Sequence, residues 1–197
     1  MSFKNFAEVG KKYGVASGGD WMNLQVGDNK VRIVSDFKDY GTHYNPKTNK
    51  SVVCVGHGQC SLCAVGDEPR VQFLGWVIDR ADGKLKLLRI GYRVYEQLGK
   101  LALNEEYAFE DTPSYDVTIN RTGEGKSTKY AVVPARKNTE LTQAEKVLIG
   151  ENMKEPDEII QKMKDKVVVG SGNIPVVEDE PGEPETEMGD EPPITEE

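Results

Sequence analysis

Long apolar runs are missing from this sequence. No stretch reaches the roughly 18 residues a membrane-spanning helix needs, and Met1-Ser2-Phe3-Lys4-Asn5-Phe6 forms no apolar signal core. Neither a membrane span nor a secretory leader is expected. Cysteine is scarce, with three residues in 197. Three thiols do not make a disulfide scaffold, and they fit a reducing, cytosolic setting. Catalytic signatures are lacking too. There is no Walker A glycine loop, no G-x-S-x-G and no H-E-x-x-H. The zinc-deaminase pattern also fails: neither His43 nor His57 has a glutamate two residues on, and Gln59 stands where that pattern has proline before C-x-x-C. An enzyme is not expected.

What is present is unevenly spread. The formal net charge is −8, but residues 178–197 hold ten Asp and Glu and no Lys or Arg. The remainder carries 23 acidic and 25 basic residues, a net of +2. Glu178, Asp179, Glu180, Glu183, Glu185, Glu187, Asp190 and Glu191 lie in a Pro- and Gly-rich segment that cannot build a core. Residues 171–197 are therefore expected to be a disordered acidic tail, a solubilising end or a docking segment. Lys4, Lys11 and Lys12 give residues 1–20 the character of a thin basic arm.

All three cysteines and both histidines fall between His43 and Cys63. Cys60 and Cys63 form a C-x-x-C knuckle, the spacing that lets two thiolates reach one tetrahedral ion, and Cys54 supplies a third. The fourth ligand is His43 or His57. The turn-rich Asn45–Lys50 between two strand-like flanks reads as a hairpin. A turn centred between Thr48 and Asn49 sets His43 directly opposite Cys54, with Cβ atoms about 4.5–5.5 Å apart. His57, between Gly56 and Gly58, stays open as the other candidate. A redox C-x-x-C belongs at a helix start in a βαβ setting, whereas turns and short strands surround this one. With four protein ligands, zinc is closed and structural.

The rest reads as short strands joined by hairpins. Lys30–Val34 alternates strictly, with Val31 and Ile33 inward. Val71–Arg80 is a long apolar strand, Asp82-Gly83 a hairpin turn, and Leu85–Ile90 the return. Gly75 within the long strand marks a bulge or a close backbone approach. Residues 92–106 carry a helical stripe of Val94, Leu98 and Leu101. Tyr115–Asn120 and Thr128–Pro134 form another hairpin. Thr142-x-x-Glu145 is a capping box opening a helix, and 157–166 reads as a further one. The expected fold class is mainly β with short helices: an OB-like Greek-key barrel over residues 21–170, with a zinc-binding hairpin and knuckle at about 40–66.

Bases and aromatics interleave along these strands. Arg70, Trp76, Arg80, Lys86, Arg89, Tyr92 and Arg93 surround one hairpin. Arg121, Lys126, Lys129 and Tyr130 surround another, and Lys30, Arg32, Tyr40 and Tyr44 come from the first strand and the metal hairpin. This is raw material for a single-strand groove, where cations follow phosphates and rings stack on bases. Trp76, like Trp21 and Phe73, fits a core as well as a platform.

Together these features resemble the zinc-containing single-stranded DNA-binding (helix-destabilising) proteins of tailed bacteriophages. The resemblance rests on Trp21-x-x-Leu24, Val31-Arg32-Ile33, His43, Cys54, Gly56-His57-Gly58, Cys60-x-x-Cys63 and the acidic tail, in that order. It implies one structural Zn2+ on His43, Cys54, Cys60 and Cys63, with the loop histidine outside. It also implies sequence-independent binding of single-stranded DNA in phage replication, recombination and repair within the host cytoplasm. The tail is then the dock for replisome and recombination proteins. The rival reading is a zinc-ribbon protein–protein adaptor that docks through the same tail.

Overall fold

The computed structural model describes residues 21–45 and 50–169. The expected basic arm, the turn at 46–49 and the acidic tail from Glu178 through Glu191 and beyond lie outside the described residues. In chain order the elements are β1 (Trp21–Met22), β2 (Gly27–Ile33), β3 (Lys38–Asn45), β4 (Lys50–Val53), α1 (Ser61–Ala64), β5 (Arg70–Asp79) and β6 (Leu85–Gly91). They continue with α2 (Tyr92–Ala102), β7 (Tyr115–Thr122), a 3-10 turn at Gly125–Ser127, β8 (Lys129–Asn138), α3 (Gln143–Asn152) and α4 (Pro156–Val169). The protein is mainly β, with a mixed sheet and a few short helices. Among the described residues no helix is long and apolar enough to cross a membrane.

The sheet runs β1-β6-β5-β2-β7-β8, with β3 on β5 and β4 on β3. Among the described residues only β1 and β6 are parallel. Strand β5 is the hub. Its second half pairs β2, from Val31↔Asp79 to Ile33↔Val77, and its first half pairs β3, from Lys38↔Leu74 to Thr42↔Arg70. Its other edge pairs β6. The metal hairpin thus hangs from the first half of β5.

Both faces of β5 are buried, which is why Phe73-Leu74-Gly75-Trp76-Val77-Ile78 reads as unbroken apolar sequence rather than as an alternation. Phe73 and Val77 join Val31, Ile33, Leu88, Ile90, Val117 and Ile119 on one face, beneath Val94 and Leu98 of α2. Leu74, Trp76 and Ile78 join Tyr40, Val53, Leu85 and Leu87 on the other. That second face is covered by α3 and α4 through Leu148, Ile149, Ile159, Ile160 and Met163. Helix α3 starts where the capping box requires: Thr142 Oγ1 accepts from the Glu145 N–H, and Glu145 returns the bond to the Thr142 N–H at 2.7 Å.

Gly75 holds no bulge. The β5–β6 register passes through it unbroken. What approaches is a ring: a Cβ at Gly75 would lie 2.9 Å from Phe37. Gly75→Ala is therefore expected to cost about 1–3 kcal/mol by overpacking, and Phe37→Leu in the same chain should restore much of it. Thermal melts of the single and double variants check this.

The expected outward alternation of β2 also needs correction. Arg32 is buried, 3 % exposed. Its Nε donates to Asp116 Oδ1 at 3.0 Å, and its other nitrogens donate to the carbonyls of Pro113 and Thr139. Arg80 reaches the same carboxylate at 2.9–3.0 Å and also pairs with Glu145. One buried carboxylate thus ties β2, β5 and β7 to the first turn of α3.

Strand β8 pairs only with β7 among the described residues. Its outer edge is partly occupied by Gln97 of α2, which accepts from Val132 N–H at 3.0 Å and donates to Tyr130 O at 3.2 Å. Residues 130 and 132 therefore point their backbone groups outward. Pro134, two positions on and still in register with Val117, has no N–H to offer there.

Candidate metal centre

The β3–β4 hairpin pairs Thr42 with Val53, His43 with Val52 and Tyr44 with Ser51. His43 is therefore not opposite Cys54, as a turn centred between Thr48 and Asn49 would have it. The pairing has slipped by two residues. Because side chains alternate with period two, such a slip leaves every residue on its face. Cys54 follows β4 and donates its N–H to Gly41 O at 2.8 Å, and Gly41 lies two residues before His43 on the same face. Gly41 also leaves room: a Cβ there would come within 3.0–3.1 Å of Pro69 and Cys54.

The loop then turns through Gly56 (φ 103°) and Gly58 (φ 92°), conformations that cost other residues dearly. The Cys60 N–H returns to Gly56 O at 3.0 Å, and Gly56 N–H points at Cys54 Sγ at 3.4 Å. Cys60 is the residue before α1, and Cys63 lies on its single turn. Positions three apart on a helical turn share a face, so both sulfurs face the hairpin.

The ligand atoms of His43, Cys54, Cys60 and Cys63 all lie within 4.8 Å of one another. Cys54 Sγ and Cys63 Sγ are 3.5 Å apart, and Cys63 Sγ is 3.3 Å from His43 Nε2. A zinc tetrahedron has edges of about 3.8 Å between sulfurs and about 3.5 Å between sulfur and nitrogen. The four groups thus form a cluster able to hold one metal ion, and a donor set of three sulfurs and one nitrogen suits zinc. The His43 side chain is fully buried. His57 is exposed and stands outside the cluster. Burial and the neighbouring Cys54 and Cys60 push the Cys63 thiol up to about 12. Burial would also raise Cys60, but the backbone N–H groups of Cys63 and Leu62, with the Cys63 and Cys54 side chains, hold it below the usual thiol range. Crowded thiols resist multiple ionisation; a divalent cation reverses that and releases protons.

Asp67 was not foreseen. Its Oδ2 accepts from His43 Nδ1 at 2.8 Å. In the sequence it belongs to Gly66-Asp67-Glu68-Pro69, which reads only as a chain break. Its one signal is its place four residues after the knuckle. Tyr95 was also missed: it stacks on Phe73 with centroids 3.8 Å apart and remains 38 % exposed. Its place three residues after Tyr92 on one helix was the available signal.

The residues expected to contact a strand fall into distinct groups. Tyr44, Arg70, Tyr92 and Arg93 are exposed and gather at one end of β3, β5 and β6, beside the metal hairpin. Arg89, half-buried, shares a rung with Leu74 nearby. Lys126 and Lys129 are exposed at the β7–β8 turn, with Arg121 and Tyr130 half-buried on one rung. Gln97 of α2 bonds both Arg93 O and Tyr130 O, so this helix bridges the two groups. Lys30 is largely exposed, 3.4 Å from Asp116. Five positions need correction. Tyr40 and Trp76 are buried in the second core under α4, and Trp76 Nε1 donates to Lys154 O at 2.7 Å. Arg32 and Arg80 are committed to Asp116, and Lys86 to Asp79 and Asp82 at 2.7 and 2.8 Å. Compared with protein-family models, curated proteins and solved structures, the chain matches none of them.

Proposed function

We propose that this chain is a sequence-independent single-stranded DNA-binding protein of phage replication, recombination and repair, held together in part by one structural zinc. The observation that carries the reading is the exposed group Tyr44, Arg70, Tyr92 and Arg93 beside the His43, Cys54, Cys60 and Cys63 cluster. Guanidinium groups there can follow phosphates, and Tyr44 and Tyr92, 45 % and 57 % exposed, can stack on bases. The metal fixes the hairpin that brings Tyr44 to this end of the sheet. The sheet around the long β5 is read as an OB-like Greek-key barrel, and the acidic tail as the dock for replisome partners.

The test is a fluorescence titration with oligothymidylate and with duplex DNA across a range of salt. The protein should favour the single strand. Arg93→Glu should weaken binding alike for all sequences and flatten the salt dependence, since each phosphate contact on a single strand contributes a slope of about −0.7. Tyr92→Ala should lose about 1–3 kcal/mol with little change in slope. A preference for duplex, or no retention of either, would overturn the proposal. The second result would leave the zinc-ribbon adaptor as the reading to pursue.

A further inference from the structure

The geometry points to Asp67 as a positioning residue for the metal centre, and to the turn at Gly66-Asp67 as the device by which the knuckle carries its own outer shell. This rests on the metal reading above. The two ring nitrogens of His43 face different partners. Nε2 lies 3.3 Å from Cys63 Sγ, inside the cluster, while Nδ1 lies 2.8 Å from Asp67 Oδ2, outside it. A carboxylate accepts only, so Nδ1 carries the proton and Nε2 presents its lone pair to the other ligand atoms. An outer carboxylate in this role fixes the tautomer, holds the ring plane and raises the basicity of the ligating nitrogen.

Asp67 is brought there by its neighbours. After α1 the Gly66 N–H bonds Cys63 O at 3.0 Å, and Gly66 takes a left-handed conformation, φ 86°. The Asp67 N–H then bonds Leu62 O at 3.1 Å. The turn therefore folds back over the knuckle that it follows, and Asp67 meets a histidine 24 residues earlier in the chain. Asp67 is 48 % exposed while His43 is fully buried. The carboxylate is the solvent-side lock on the ring, bonded to the one nitrogen that faces away from the cluster. Glu68, next along the chain, makes no such contact with His43 among the described residues and serves as the control.

The experiment uses full-length protein loaded with zinc, and in parallel with cobalt, challenged with a chromogenic chelator. Asp67→Ala should release zinc about 10–100-fold faster or bind it correspondingly more weakly. It should also shift the visible d–d bands of the cobalt form, a readout that a merely structural surface residue would not move. Asp67→Asn, which keeps an acceptor oxygen, should recover part of the loss, and Glu68→Gln should match the parent. If the parent holds both metals and Asp67→Ala matches it in release and spectrum, this inference is wrong while the metal reading stands. If the parent holds neither metal, the metal reading falls and takes the inference with it.

Discussion

Replacing Cys60 by serine is expected to empty the cluster and to melt the segment from Cys54 to Asp67 without unfolding the sheet. Between Val55 and Asp67 the only buried residue is Cys60 itself, so nothing apolar inside the loop can hold it. A structural zinc contributes about 10–16 kcal/mol to the folding of small zinc modules, far more than any contact available to this loop. Strands β3 and β4 have other support: Tyr40 and Val53 sit in the second core with Leu74. The sheet should therefore keep its main thermal transition while the loop loses protection. Helix α4, which packs on β3, β4 and β5, should loosen next. Zinc content and hydrogen exchange, read at residues 54–67 and 156–169, check this. His57→Ala is the control and should keep its zinc. Zinc retained by His43→Ala but lost by His57→Ala would refute the ligand set.

Asp116→Ala is expected to produce the largest loss in the body of the sheet, about 3–5 kcal/mol, because it strands the buried Arg32 guanidinium without its partner. Arg80 loses the same carboxylate, so the α3 N-terminus, tied to Arg80 through Glu145, should fray as well. Burial alone would raise the Asp116 carboxyl, but the hydrogen bonds from Arg80 and Arg32 outweigh it and hold it below the usual range. Glu145 is likewise held low: burial opposes, but the Thr142 N–H and the Arg80 and Thr142 side chains prevail. For carboxyls depressed in the folded state, the stabilisation is complete above the unfolded values, about 3.9 for Asp and 4.3 for Glu. It is lost as pH falls through the folded ones. Denaturant melts of the parent should thus lose stability below about pH 4, whereas Asp116→Ala should start lower and fall less steeply there. Equal midpoints for parent and variant at pH 7 would refute the network's role.

What the chain disclosed in advance followed the range of the interactions involved. The Thr142–Glu145 capping box, the Asp82-Gly83 turn and the Cys60–Cys63 knuckle are settled within a few residues, and each stands as read. The hairpin register is off by two, yet the parity of β side chains keeps His43 and Cys54 on one face, so the four candidate residues still come together. Arg32 and Tyr40 read as surface, and Trp76 as core or platform alike, because what buries them comes from afar. Asp116 is 84 residues beyond Arg32, and the Lys154 carbonyl that receives the Trp76 indole is 78 beyond. Local alternation reports which face a residue occupies, not whether a later helix will cover that face. Asp67 escaped for a related reason: a turn sequence shows that the chain reverses, but not what its carboxylate meets afterwards.

The outer edge of β8 bears on how the protein behaves when crowded. An open strand edge is a template on which a second copy can add a strand, and sheets that extend in this way precipitate or form fibres. Here Gln97 occupies the Tyr130 carbonyl and the Val132 N–H, and Pro134 removes the next donor in the outward row. Three consecutive outward positions thus offer an incoming strand no continuous ladder. Copies that meet at high local concentration can do so along this edge without fusing their sheets. Colloidal solubility, on this view, is written into a helix side chain and one imino acid as much as into surface charge.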